Sequence, residues 1–266
     1  MADISEMRPW IAETPGERLF LLAYNLVNTT TSKSFNDQSW VASAIGLNEF
    51  MRLSATMELT HRCINVSVES LTVNQHCTVE VIRRNLRSSI ELYLIDSILD
   101  LFAEQSRLAG LAYIGRKLTD GAKNSIHKNE RSYCCWCGCS TMRSNKAGQH
   151  DAATIEHLWP EFLGGTSINE NLIIACYSCN NARSHAFTWA WFPIQACTTD
   201  SSIPKTINLA LALQRLMRVA SGQTRYSQNP VSLKAAAKIL KGAIPKVILQ
   251  PNRRYTFFEI AKLSEE

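Results

Sequence analysis

Two Cys-x-x-Cys pairs, Cys134 with Cys137 and Cys176 with Cys179, constrain this chain more than any other feature of its sequence. Four thiolates brought together make a closed tetrahedral zinc site with no coordination position open to water, so a metal held there shapes the fold and does no chemistry. The pairs bracket Thr154-Ile-Glu156-His157, Pro160, Gly164-Gly165 and Asn171-Leu-Ile-Ile-Ala. Any chemistry must therefore lie between the knuckles. Cys135 and Cys139 compete for the first knuckle, because Cys137-x-Cys139 is also a close pair. Gly138, directly after the two-residue gap, favours the tight turn of Cys134 with Cys137.

Six of the nine cysteines fall in the two knuckle regions, the distribution of metal ligands in a reducing compartment rather than of a disulfide framework. Cys63, Cys77 and Cys197 lie outside and read as buried thiols. With 266 residues and 45% hydrophobic content the chain can bury a substantial core. Its opening residues lack the basic and apolar pattern of a signal peptide, and no apolar stretch reaches the length of a membrane span. The expectation is a cytoplasmic protein with no membrane partner.

Three regions follow from the pattern: a helical region over 1–125, a central module over 126–195, and a basic helical region over 196–266. Thr14 as N-cap and Pro15 at the first helical position predict a helix from Pro15 to Asn28. The polar run Asn28 to Ser34 reads as a loop, and a second helix is expected from Asp37 to about Met57. Between Ser67 and Leu118, Ile82, Leu86, Ile90, Leu94, Ile98 and Phe102 recur every four residues, with Val81, Leu101 and Leu108 widening the stripe. That period predicts one long amphipathic helix.

The period changes in the central module. Ala153, Ile155 and His157 alternate with Thr154 and Glu156, which predicts a short strand, and Leu172-Ile-Ile-Ala predicts a second. A helix is expected after Cys179, carrying Asn180, Arg183 and His185. Trp189 and Trp191 follow it and read as core. His61, His76, His127 and His150 have no motif around them and read as ordinary side chains.

Taken together, Cys-x-x-Cys-Gly, Glu156-His157 with Pro160, Gly164-Gly165, Asn171-Leu172 and Cys-x-x-Cys-Asn180 resemble the HNH endonucleases, the zinc-knuckle branch of the ββα-metal nucleases. The resemblance implies an α+β protein, mainly helical, with an embedded ββα-metal module stabilised by a four-cysteine zinc site. It implies that His157 is the general base, that Asn171 pins the loop between the strands and orients the histidine, and that Asn180 takes the third motif position. Glu156 stands where the family usually has Asp and, with Asn180, would hold one divalent cation, Mg²⁺ or Mn²⁺. His185 is a second candidate ligand, ranked below Asn180 because five helical residues carry it to another face. Arg183 falls at a position suited to phosphate contact. The implied activity is metal-dependent hydrolysis of DNA phosphodiester bonds, by nicking.

The charge pattern adds a DNA-holding surface to this reading. From Ser201 to Phe258 there is no Asp or Glu, while ten Lys and Arg fall there, among them Lys234, Lys238 and Lys241. A field of one sign attracts a polyanion. Two other readings stand beside the enzyme: a zinc-knuckle nucleic-acid binder without activity, and a nuclease subunit that works only with a partner. The joint presence of Glu156, His157 and Asn180 favours the enzyme. In architecture the chain resembles effector nucleases of bacterial phage-defence operons, which would make other defence-system subunits its partners.

Overall fold

The first helix begins as Thr14 and Glu17 dictate. The Thr14 N–H donates to Glu17 Oε2 at 2.8 Å and the Glu17 N–H returns to Thr14 Oγ1 at 3.2 Å, a reciprocal pair that satisfies two amides no helical carbonyl reaches. The structure, a computed structural model, describes residues 10–35, 47–91, 94–115, 118–129, 133–135, 139–143, 148–183 and 255–259. Lys234, Lys238 and Lys241 with most of the basic helical region expected over 196–266, and Trp189, Trp191 and Cys197, lie outside these residues. The described chain is mainly helical with two small sheets, the α+β class expected.

It divides into two compact units, one made within Ala12–Lys117 and Trp159–Thr166, the other within Met1–Ile11, Leu118–Leu158 and Ser167–Glu266. Among the described residues the first holds four α-helices: α1 (Pro15–Phe35), α2 (Leu47–Val73), α3 (Val79–Ile90) and α4 (Asp96–Ile114). Leu19, Ala23, Ile64, Leu71, Ile82, Leu86, Leu99 and Phe102 are among the residues that form its core. Helix α1 runs past Asn28, through the polar stretch read as a loop. Threonine is tolerated there because the Thr29 hydroxyl donates back to the Asn25 and Leu26 carbonyls instead of competing for the amides ahead.

The single long helix of the sequence reading is two helices. Glu91 adopts a left-handed conformation, φ 54°, and its N–H turns back to the Leu86 carbonyl, which ends α3. Helix α4 restarts at Asp96 with a new phase, so its buried face is Leu99, Phe102, Ala103, Ser106, Ala109 and Gly110 while Ile98 and Leu101 face outward. Across the break Arg87 pairs with Asp96 at 2.5 Å and Arg83 with Asp100 at 3.2 Å. Both pairs are exposed and contribute little individually.

Residues 159–166 connect two strands of the other unit yet pack inside this one. Trp159 is fully buried, edge-on to Phe20 with ring centroids 5.3 Å apart, and its indole N–H donates to the Leu163 carbonyl at 2.9 Å. Phe162 meets His61 edge-to-face. A Cβ on Gly16 would sit 1.8 Å from the Leu163 carbonyl oxygen, and one on Gly165 would sit 2.1 Å from that of Trp159. Gly164 has φ 73°, a conformation that glycine adopts without strain. The Gly-Gly pair is thus a packing requirement of this segment.

The second unit carries the remaining elements: β1 (Trp10–Ile11), α5 (Asp120–Asn129), β2 (Ala153–His157), β3 (Leu172–Cys176), α6 (Tyr177–Arg183) and β4 (Tyr255–Thr256). Strand β2 pairs antiparallel with β3, from Ala153 opposite Cys176 to His157 opposite Leu172. Both strands lie where alternation and β-branched content put them. Strand β1 pairs parallel with β4 through two residues each, Trp10 opposite Tyr255 and Ile11 opposite Thr256. No described helix is long and apolar enough to cross a membrane.

Candidate functional site

Strand β3 ends at Cys176, and the Cys176-x-x-Cys179 knuckle is itself the first turn of α6. For that reason the helix begins at Tyr177, three residues before the expected start. The Cys179 N–H donates to Cys176 Sγ, 3.4 Å away, which folds the knuckle back on its first sulfur. In the first knuckle the Cys134 N–H donates to the Cys139 carbonyl at 2.8 Å, and the Cys135 N–H donates to the Ile174 carbonyl at 2.9 Å, tying Cys135 to β3. As a result the sulfurs of Cys134, Cys176 and Cys179, all buried, lie within 4.8 Å of one another. Among the described residues this is the one cluster of three or more potential metal ligands, and Cys135 and Cys139 stand outside it. Cys137 lies outside the described residues. Three buried sulfurs at this spacing suit a thiophilic ion such as zinc.

A second set of bonds fastens α6 to β2. Asn180 Nδ2 donates to Thr154 Oγ1 at 3.0 Å and to the Ile155 carbonyl at 3.2 Å. A carbonyl only accepts, so the amide orientation follows from its partner, and Oδ1 is the atom of Asn180 available to a cation. Thr154 Oγ1 in turn donates to the Ala175 carbonyl on β3 at 2.9 Å. One hydroxyl therefore joins all three elements of a ββα arrangement. Side chains alternate along a strand, so Glu156 shares the Thr154 face of β2, toward α6, while His157 belongs with Ala153 and Ile155 on the other. On that other face Ile126 of α5 clusters with Leu172 and Ile174, with Ala153 and Ile155 packed against them.

His157 ends the strand. It is 9% exposed, and its Nε2 lies 3.1 Å from Ser167 Oγ. Burial pushes its imidazole pKa down to about 4, so the ring is neutral near pH 7 and one of its nitrogens can accept a proton. Glu156 is 6% exposed and Asn171 fully buried. The Asn171 carbonyl accepts from the Leu158 N–H at 2.8 Å, so the main chain just beyond His157 is held to the start of β3. Arg183 is the last residue of α6, and His185 lies outside the described residues.

Residues 134–186 match the family model of the HNH endonuclease. The chain carries an HNH domain. No curated protein and no solved structure matches the chain. The matched span opens on the first cysteine of the cluster and takes in Glu156, His157, Asn171, Asn180, Arg183 and His185. Two residues of the HNH domain that sequence reasoning passed over are Thr154 and Ser167. Both carry hydroxyls that act across the fold rather than along the chain, and nothing in their local sequence marks them.

Proposed function

We propose that this protein is a metal-dependent endonuclease that hydrolyses DNA phosphodiester bonds one strand at a time. The observation that carries the reading is the bond from Asn180 to Thr154 and Ile155, which sets α6 against the strand bearing Glu156 and His157 beside the cysteine cluster. Cys134, Cys137, Cys176 and Cys179 hold zinc and fix the two knuckles. The Glu156 carboxylate and the Asn180 amide oxygen are hard donors that fit Mg²⁺ or Mn²⁺, with His185 as the second-ranked ligand. Such an ion supplies charge neutralisation at the phosphate and at the departing alkoxide.

The chain's own residues do the rest. His157, neutral in its buried setting, takes the proton of the attacking water; general-base catalysis contributes about 10²–10⁴-fold in rate, and the lowered pKa offsets part of that by weakening the base. Asn171 holds the loop that follows the base. Arg183 and the basic segment with Lys234, Lys238 and Lys241 contact phosphates. One base and one cation suit a single nick, and a double-strand break needs a second copy or a second visit. A place in bacterial phage defence, with other defence subunits as partners, rests on architecture and is tested by plaque counts on cells expressing the protein.

The activity is tested on supercoiled plasmid with purified protein in EDTA, Mg²⁺ and Mn²⁺. Nicked circles that form only with a divalent ion support the enzyme. An inert protein that still binds DNA would instead favour the zinc-knuckle binder.

A further inference from the structure

Helix α5 buries Ile126 against Leu172 and Ile174 of β3, which fixes the direction of its other faces. Lys123 and Asn124 are exposed and His127 is half-buried. Arg143, far away in sequence, reaches the same place. Met142 forms a parallel bridge to Ala152, and its carbonyl accepts from the Ala153 N–H at 2.8 Å, so Arg143 is held beside the first residue of β2. The Arg143 guanidinium donates to Asn124 Oδ1. The His127 pKa is lowered, by burial first and then by the charge of Arg143.

Two basic side chains, an amide and an imidazole thus gather on one side of the HNH domain. Arg143 forms no ion pair with a carboxylate among the described residues. A guanidinium with no carboxylate partner at a domain surface attracts an anion. The set also has the chemistry of a phosphate clamp: Arg offers a fork of donors, Lys a point charge, and the Asn124 oxygen takes one Arg143 N–H and so orients the fork.

We propose that Lys123, Asn124, His127 and Arg143 form a ridge that grips the DNA backbone at the end of β2 opposite His157. This rests on the nuclease reading above. Four residue steps from Ala153 to His157 span roughly 13 Å. At about 3.4 Å of rise per nucleotide, the ridge meets the backbone roughly four nucleotides from the phosphate at His157. It is separate from Arg183 and from the basic C-terminal segment.

The experiment is equilibrium binding of a fluorescent DNA duplex in EDTA, so that nothing is cut, at salt concentrations from about 50 to about 200 mM. The full-length protein is compared with Lys123→Ala/Arg143→Ala, with Arg143→Lys, and with Arg62→Gln, whose guanidinium pairs with Glu58 in the helical unit. The ridge predicts that the slope of log affinity against log salt falls by about 1.8 in the double variant. It stays near the natural value in Arg143→Lys and Arg62→Gln. Thermal melts of each variant separate loss of contact from loss of fold. A natural slope in a folded double variant that binds DNA would overturn the ridge and leave the nuclease reading standing. Failure of the natural protein to bind DNA at any of these salt concentrations would overturn both.

Discussion

Nε2 of His157 lies 3.1 Å from Oγ of Ser167, ten residues further along the chain. In a neutral imidazole only one nitrogen carries hydrogen, so the partner of Nε2 influences which nitrogen is left to accept a proton. Ser167 is then a positioning residue for the proposed base. Ser167→Ala removes one hydrogen bond, worth about 1 kcal/mol, and is expected to lower kcat about fivefold. Nitrogen NMR of the His157 ring should show a changed tautomer balance in the variant. A ring with unchanged shifts would remove Ser167 from the account.

Thr154 should matter for stability more than its size suggests. Its hydroxyl donates to the Ala175 carbonyl and accepts from Asn180, so Thr154→Val leaves the buried Ala175 carbonyl and the half-buried Asn180 amide each with one partner fewer. The expected loss is about 2 kcal/mol, read from denaturant unfolding. Because Asn180 would then be held by the Ile155 carbonyl alone, affinity for the catalytic cation should fall as well.

The segment 159–166 makes a steric prediction within the helical unit. Gly16→Ala would place a methyl group 1.8 Å from the Leu163 carbonyl oxygen, in backbone that cannot swing aside as a side chain can. It should destabilise by about 1–3 kcal/mol or more. Gly121→Ala in α5, whose nearest neighbour is 4.0 Å away, is the matched control and should leave stability unchanged or slightly raised. Equal melting temperatures for the two variants would contradict the packing described.

Cys63 predicts the alkaline behaviour of the same unit. Burial pushes its thiol up to about 12, against about 8.5 for an exposed cysteine. A folded-state pKa raised above the unfolded one gives stability that is complete below the unfolded value. That stability is lost as pH rises towards the folded value. Between about pH 9 and 12 the stability advantage of the natural protein over Cys63→Ala should therefore shrink, by at most about 1.4 kcal/mol per pH unit. A gap independent of pH in denaturant melts would show that the thiol is accessible.

The parts of this fold legible in the sequence are those whose signals are local. Ala153 to His157 and Leu172 to Ala175 announce strands by alternation and β-branching, and Thr14-Pro15 announces a helix start by its capping chemistry. The hidden parts depend on contacts between distant residues or on side chains that hydropathy counts as neutral. Helix α2 runs to Val73, past the expected Met57, because its buried stripe passes through Thr56, Thr60 and Ser67 as well as Leu53, Ile64 and Leu71. The Thr56 and Thr60 hydroxyls bond back to the carbonyls four residues earlier, which lets them occupy a core-facing position. The break at Glu91 carries neither Gly nor Pro and continues a four-residue repeat, so periodicity runs straight across it. Within the HNH domain, Cys134, Cys176 and Cys179 were legible from spacing alone. Ser167 and Arg143 were not, since each is defined by a partner elsewhere in the fold.

The most direct test of the central claim is His157→Ala in the plasmid-nicking assay with Mg²⁺ or Mn²⁺, with zinc content and melting temperature checked in parallel. Nicking is expected to fall at least about 100-fold while zinc and fold are retained. Nicking at the natural rate by a folded, zinc-loaded His157→Ala protein would contradict it.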